Sequence, residues 1–498
     1  MNLKSFFSTA NRTGRFVRLL STSYLGVGAA TLYSVGLVPL ILHYGNLAEL
    51  GLWTLVTQFA TYLGLVDAGV TSACIRRFVG PLSRREPNPL AETFKSAFLV
   101  SLAQGSLCCL LGLLSFPVGI LLGISSEKLP LFSVILFSQF LIVGLFFLVR
   151  PFSALLLAAQ RSEFNNLIGG FASLLSLGII WACLRMGLGL WSLPISFFFQ
   201  QSASAITTLV MVHRLELLPA HWRKAPSSWQ GVTMLFWESL DFFSWSGFST
   251  AGATLQSVFL SRFLGLEAVA IWNVGFKVAS FAYMIFTNLF NSAYAGLSEI
   301  LERGDPIKCY HSFLRLFLLS ISLLAFFSSA ALWLNQPFVS FWTHHRIIFP
   351  LSSTRAVFAW LILAGIVRAL ACFANIWQRR SVMRWGPIVE FSSLSLSLGI
   401  CYLYPSLYGF SLAVLASQLP PILLNYAPSL LAIQRQIGAA LSLNQWSLFL
   451  SSGMGFALAL AISLDPAPAV WMIFVGAIFL SSWAYFLIQE TRLVARGD

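Results

Sequence analysis

Lys277 lies deep in an apolar run, about ten residues from the nearer end of a span at 267–296. A lysine at the bilayer centre costs about 2.5–3.5 kcal/mol on insertion scales. Packing alone is a poor reason to keep one there; binding an anion is a better one. On a helix Lys277 shares a face with Asn273, Ser280, Met284, Thr287, Asn291, Tyr294 and Ser298. Only Met284 in that stripe is apolar, and no acid accompanies the lysine. Such a face is costly in lipid and should line water or another helix. The opposite face, with Val274, Phe276, Val278, Phe281, Ile285 and Phe286, can meet lipid or protein.

Other polar residues repeat the problem. In the span at 49–72, Thr57, Thr61, Gly64, Asp67 and Thr71 recur every three or four residues, beside Gln58. Arg150 in FFLVRPFSALLL and Arg368 in ILAGIVRALACF lie one or two turns from the ends of their spans. The candidate ligands for an anionic cargo are therefore Lys277, Arg368 and Arg150, with Gln58, Asn273, Asn291 and Thr61 as polar neighbours. The candidate carboxylates are Asp67, Asp241, Glu238 and Glu390. Glu238 and Asp241 open the seventh span and Glu390 the eleventh. They are either salt-bridge partners or sites for a coupling H+ or Na+. Asp67 either pairs with Arg76 or Arg77 or snorkels to the headgroups. The serines and threonines, taken singly, also fit interhelical hydrogen bonding.

The elements that must position these groups are membrane helices. The sequence is 57% hydrophobic and 9% charged, against about 25% charged in soluble domains. Its mean hydropathy is +0.80. Apolar runs of bilayer length recur throughout. Fourteen spans are expected, at about 18–42, 49–72, 94–122, 129–157, 164–184, 188–212, 235–260, 267–296, 312–334, 351–375, 386–404, 407–432, 446–464 and 468–490. The first lacks a cleavage site and is expected to stay. Connections as short as 185–187 and 405–407 demand antiparallel hairpins. The longest outside loop is expected at 335–350. The seven cysteines fall mostly in apolar runs, without disulfide or zinc spacing.

Lys and Arg set the orientation. With the N-terminus inside, the inside segments hold Arg12, Arg15, Arg76, Arg77, Arg84, Arg85, Arg223, Lys224, Arg379, Arg380 and Arg384, among others. The outside segments hold only Lys128, Arg185, Arg262, Arg346 and Arg355. Both termini are expected in the cytoplasm. The net charge of +13 is then a topology signal. Its dispersal over separate loops argues against nucleic acid.

The chain repeats itself. YGNLAELGLWTLVTQF (44–59) resembles LGLEAVAIWNVGFK (264–277), with Gly45 against Gly265 and Trp53 against Trp272. Gln58 then corresponds to Lys277. The offset equals six spans and a linker. Six is even, so the two lobes have the same orientation about an axis along the membrane normal. The expected organisation is an all-α membrane protein with an N-lobe at 1–212, a cytoplasmic linker at 213–234, a C-lobe at 235–445, and two further spans with a tail at 446–498. The polar faces of the second and eighth spans are expected to meet between the lobes.

The stretch YGNLAELGLWTLVTQFATYLGLVDAGVTSACIRRFVG (44–80) resembles the early signature of polysaccharide flippases, the Wzx-type branch of the MOP superfamily. Gly51, Trp53, Asp67, Gly69, Ala73 and Arg76 stand at the places of that pattern. The resemblance implies translocation of a polyprenyl-pyrophosphate-linked oligosaccharide from the cytoplasmic to the outer leaflet by alternating access. It implies a bacterial inner membrane, no cofactor, and a polymerase and glycosyltransferases as neighbours in the pathway. Two other classes stay open. One is a cation-coupled drug exporter or peptidoglycan-precursor flippase of the same superfamily; the intramembrane cations favour an anionic cargo. The other is a polysaccharide polymerase or ligase. Its usual large outside loop is missing, and His344-His345-Arg346 is the only suggestive cluster.

Overall fold

In the computed structural model every regular element is helical among the described residues. These are 12–226 and 250–438, except 68, 85, 160, 220 and 378, together with 233, 247 and 248. The chain divides into two compact units, one ending at Thr250 and the other starting at Ala251.

The first unit contains α1 (Arg12–Tyr44), α2 (Leu47–Tyr62), α3 (Val70–Arg84), α4 (Pro87–Gly112), α5 (Ser115–Leu121), α6 (Leu129–Phe146), α7 (Arg150–Ala158), α8 (Ser162–Arg185) and α9 (Ser192–Arg214). Asn46 starts α2 with a capping box. Its side chain accepts from the Glu49 N–H at 2.9 Å, and its own N–H donates to Glu49 Oε2 at 3.3 Å. Two donors freed at a helix start are thereby satisfied. α1 packs along α8, α8 against α9, α4 against α6, and α3 against α7.

The second unit contains α10 (Leu266–Gly275), α11 (Lys277–Glu302), α12 (Pro306–Trp342), α13 (Leu351–Ile376), α14 (Arg380–Cys401) and α15 (Leu407–Ala416). A π-helical turn at Pro421–Tyr426 leads into α16 (Ala427–Ile437). α13 packs against α11, α12 and α15. Phe313 of α12 stacks on Phe373 of α13 at 4.2 Å between ring centroids, beside fully buried Tyr310 and Phe290.

Among the described residues eight helices are long and apolar enough to cross a membrane, or nine with α10 and α11 as one bent span. Several expectations need correction. The span at 49–72 is not continuous. α2 ends at Tyr62, a 3-10 segment follows at Leu63–Asp67, and Gly69 has φ +80° before α3 begins. A positive φ is open to glycine at little cost and ends the helix. The span at 267–296 bends by 50° between α10 and α11. The span at 94–122 divides into α4 and α5. The first half of the loop expected at 335–350 is helix, because α12 runs to Trp342 across Pro337. Asn335 is 1% exposed inside that helix, and His344-His345-Arg346 occupy the turn after it. The eleventh span starts at Arg380, so Glu390 lies midway along α14 rather than at its start. Glu238, Asp241 and the spans at 446–464 and 468–490 lie outside the described residues.

Candidate functional site

In the first unit the break after α2 frees backbone groups that lipid could not satisfy. Gln104 of α4 supplies donors: its Nε2 bonds the carbonyls of Val66 at 2.7 Å and Asp67 at 3.0 Å. Asp67 receives the Thr71 hydroxyl at 2.6 Å and, at 3.4 Å, the Thr71 N–H. It forms an ion pair with Arg150 at 2.8 Å, both side chains being partly exposed. Arg150 opens α7 just past a second 3-10 segment, Phe147–Val149, and its guanidinium lies 3.6 Å over the Phe147 ring. The sequence offered Asp67 either Arg76 or Arg77 or the headgroups; the fold gives it Arg150 as an ion partner. Arg150 is correspondingly less available to a cargo.

The polar ladder of α2 is partly self-satisfied. The Thr57 hydroxyl donates to the Trp53 carbonyl at 2.8 Å, and Thr61 to that of Thr57 at 2.9 Å. Both threonines remain exposed, and Gln58 is half-buried.

The second unit carries a larger cluster. Arg368 of α13 donates from Nη2 to Asn291 Oδ1 of α11 at 2.6 Å. Tyr426, in the π-helical turn, donates to Glu390 Oε1 of α14 at 2.8 Å. Arg368 lies within electrostatic reach of Glu390, Tyr426 and Tyr283. Four elements thus gather one cation, one carboxylate, an amide and two phenols. Arg368 Nε is buried without an acceptor, which leaves a donor for a further group.

Lys277 opens α11 at the 50° bend. Its Nζ lies 5.9 Å from the centroid of the Phe281 ring. It has no ion pair to a described residue. Asn335 of α12 donates to the Gly275 carbonyl at 3.2 Å and so supports the bend. The Asn273 amide donates to its own helix, at the Val269 carbonyl 2.9 Å away. Asn291 is fourteen residues beyond Lys277, so the two share a face roughly 21 Å apart along the axis. Lys277 and Arg368 are therefore two stations rather than one site.

The sequence missed Gln104, Asn335 and Tyr426. A lone amide inside an apolar helix is the signal that could have found the first two; the tyrosine offers none.

Long apolar helices, broken where ion pairs and amides gather, define a multi-pass membrane protein. The fold agrees. The chain covers 99% of the lipid II flippase MurJ in an inward closed conformation, with 97% of its own length, a TM-score of 0.67 and 14% identity. An inward-facing multidrug resistance MATE family transporter of the MOP superfamily matches at TM-score 0.57 and 13% identity, over 85% of this chain and 99% of that one. The Vibrio cholerae MATE transporter VcmN matches at 0.57 and 15%, over 88% and 99%. The chain belongs to the polysaccharide biosynthesis protein family, whose model matches residues 22–300, more than half its length. No curated protein matches the sequence.

Proposed function

We propose that the chain is a flippase that moves a polyprenyl-pyrophosphate-linked oligosaccharide from the cytoplasmic to the outer leaflet of a bacterial inner membrane by alternating access, with both termini in the cytoplasm. Family and fold support a flippase-type transporter rather than a catalytic enzyme. The observation that carries the choice of cargo is Lys277: a cation at a bend in an apolar span, facing a ring and no described acid. A pyrophosphate carried through bare hydrocarbon meets a barrier of several kcal/mol or more per charge. A polar path with Lys277 at one station and Arg368 at another lowers it. Glu390, beside Arg368, is the described carboxylate best placed to take part in H+ or Na+ coupling. The lipid-linked glycan comes from glycosyltransferases on the inside, and a polymerase consumes it outside.

Deletion in the host tests this. Surface polysaccharide should be lost, and lipid-linked repeat units should accumulate in the inner leaflet. Unchanged surface glycan with altered drug or cation tolerance would move the assignment to the exporter class.

A further inference from the structure

The first unit encloses a cavity that the ion clusters do not use. It has a volume of about 140 Å³ and lies among α1, α2, α6, α8 and α9. Tyr33, Trp53, Thr61, Gln139, Ser176 and Gln200 line it, and no charged side chain does. Tyr33 and Ser176 are hydrogen-bonded to one another. Thr57 and Thr61, in the same wall, are exposed, so the space is not sealed.

Two donors in that wall have no acceptor: Trp53 Nε1 and Gln139 Nε2. Their residues are 3% and 1% exposed. Leaving such a donor unpaired costs about 1–3 kcal/mol, so the site gains from a ligand that brings acceptors. Both atoms are buried behind the cavity surface; the two ends of the Gln139 amide can exchange places, while the rigid Trp53 indole offers the space only its ring.

The chemistry selects the ligand. A cation wants carboxylates, and none is present. An anion wants Arg or Lys, and neither is present. Amides and hydroxyls are donors and acceptors at once, as sugar hydroxyls are. Tyr33, Trp53 and Phe197 add aromatic surface for the apolar face of a pyranose. At about 30 Å³ per water, the volume holds a few waters or a single ring, not an oligosaccharide.

We propose that this cavity binds one neutral sugar ring of the lipid-linked cargo, with Gln139 as hydrogen-bond donor and the Trp53 ring as part of its aromatic wall. The inference rests on the flippase assignment and adds a division of labour: cations take the pyrophosphate, and a separate uncharged site takes a sugar.

The test uses the full chain purified in detergent. Two probes are the host's polyprenyl-pyrophosphate-linked repeat unit and bare polyprenyl pyrophosphate, with binding read by native mass spectrometry. The parent should bind the glycosylated lipid at least tenfold more tightly. Trp53→Leu removes the aromatic wall and Gln139→Met keeps the length without the amide; each should lose most of that preference while binding the bare lipid as before. A second measurement needs no variant. A repeat unit carrying a photoreactive sugar should label peptides that contain Trp53 or Gln139. Full preference in both variants, or labelling confined to other segments, means the cavity holds only water and overturns the proposal. A parent that binds neither lipid overturns the flippase assignment, and this proposal with it.

Discussion

Arg150 Nη1 lies 2.8 Å from Asp67 Oδ1, and the pair joins two interruptions of regular helix. Asp67 ends the 3-10 segment at Leu63–Asp67, and Arg150 follows the one at Phe147–Val149. Mid-helix 3-10 turns often mark hinges. The ion pair therefore ties one interruption to the other within the first unit. Removing either charge should destabilise more than removing both, because a lone partly buried charge is left behind. Asp67→Asn and Arg150→Gln should each lower the melting temperature in detergent, and the double variant should recover much of the loss. A coupling energy of about 0.5–3 kcal/mol is expected; simple additivity would show that the pair has no structural role.

Lys277→Ala should insert and fold normally, since a costly buried cation is removed, yet should fail to restore surface polysaccharide to a deletion strain. Lys277→Arg should restore part of it, because the charge survives with a different shape. Parental complementation by Lys277→Ala at normal expression would refute the cationic path at this residue. Degradation of the variant would instead mark Lys277 as structural.

Arg368 grips Asn291 while keeping a buried Nε–H without an acceptor. Arg368→Lys keeps the charge and loses the planar fork. Transport should fall by tenfold or more, measured as lipid-linked glycan reaching the outer face. Asn291→Ala should cost less, since the guanidinium remains. Equal losses in the two variants would put the function in their hydrogen bond rather than in the cation.

Gln104→Leu should strand the carbonyls of Val66 and Asp67. The expected cost is about 1–3 kcal/mol, seen as a lower melting temperature with no change in surface charge. An unchanged melting temperature would mean that water reaches the break.

Reporter fusions at Arg84, Arg223 and Arg380 should read cytoplasmic, and fusions at Lys128 and His344 should read outside. Asn335 is unsuitable as a fusion site, because it is buried within α12. A reversed pattern would undo the charge-based orientation.

The sequence by itself determined the solvent and the family. Apolar runs of bilayer length require helices, since only these satisfy the backbone within a short segment of chain. The signature at 44–80, with Gly51, Trp53, Asp67 and Gly69, was enough for the polysaccharide-flippase resemblance, and the family match includes it. It also singled out Lys277, Arg150, Arg368, Asn291 and Glu390 as costly residues. What it could not give was their partners. Helical periodicity orders residues along one face, but says nothing of which helix stands opposite. Asp67 and Arg150 are eighty-three positions apart, and Arg368 and Asn291 seventy-seven. Those pairs exist because α3 packs on α7 and α13 on α11. The breaks at Leu63–Asp67 and at Gly275 were likewise invisible as breaks. Hydropathy continues through both, and an amide from a neighbouring helix, Gln104 or Asn335, bonds the backbone carbonyls at each break.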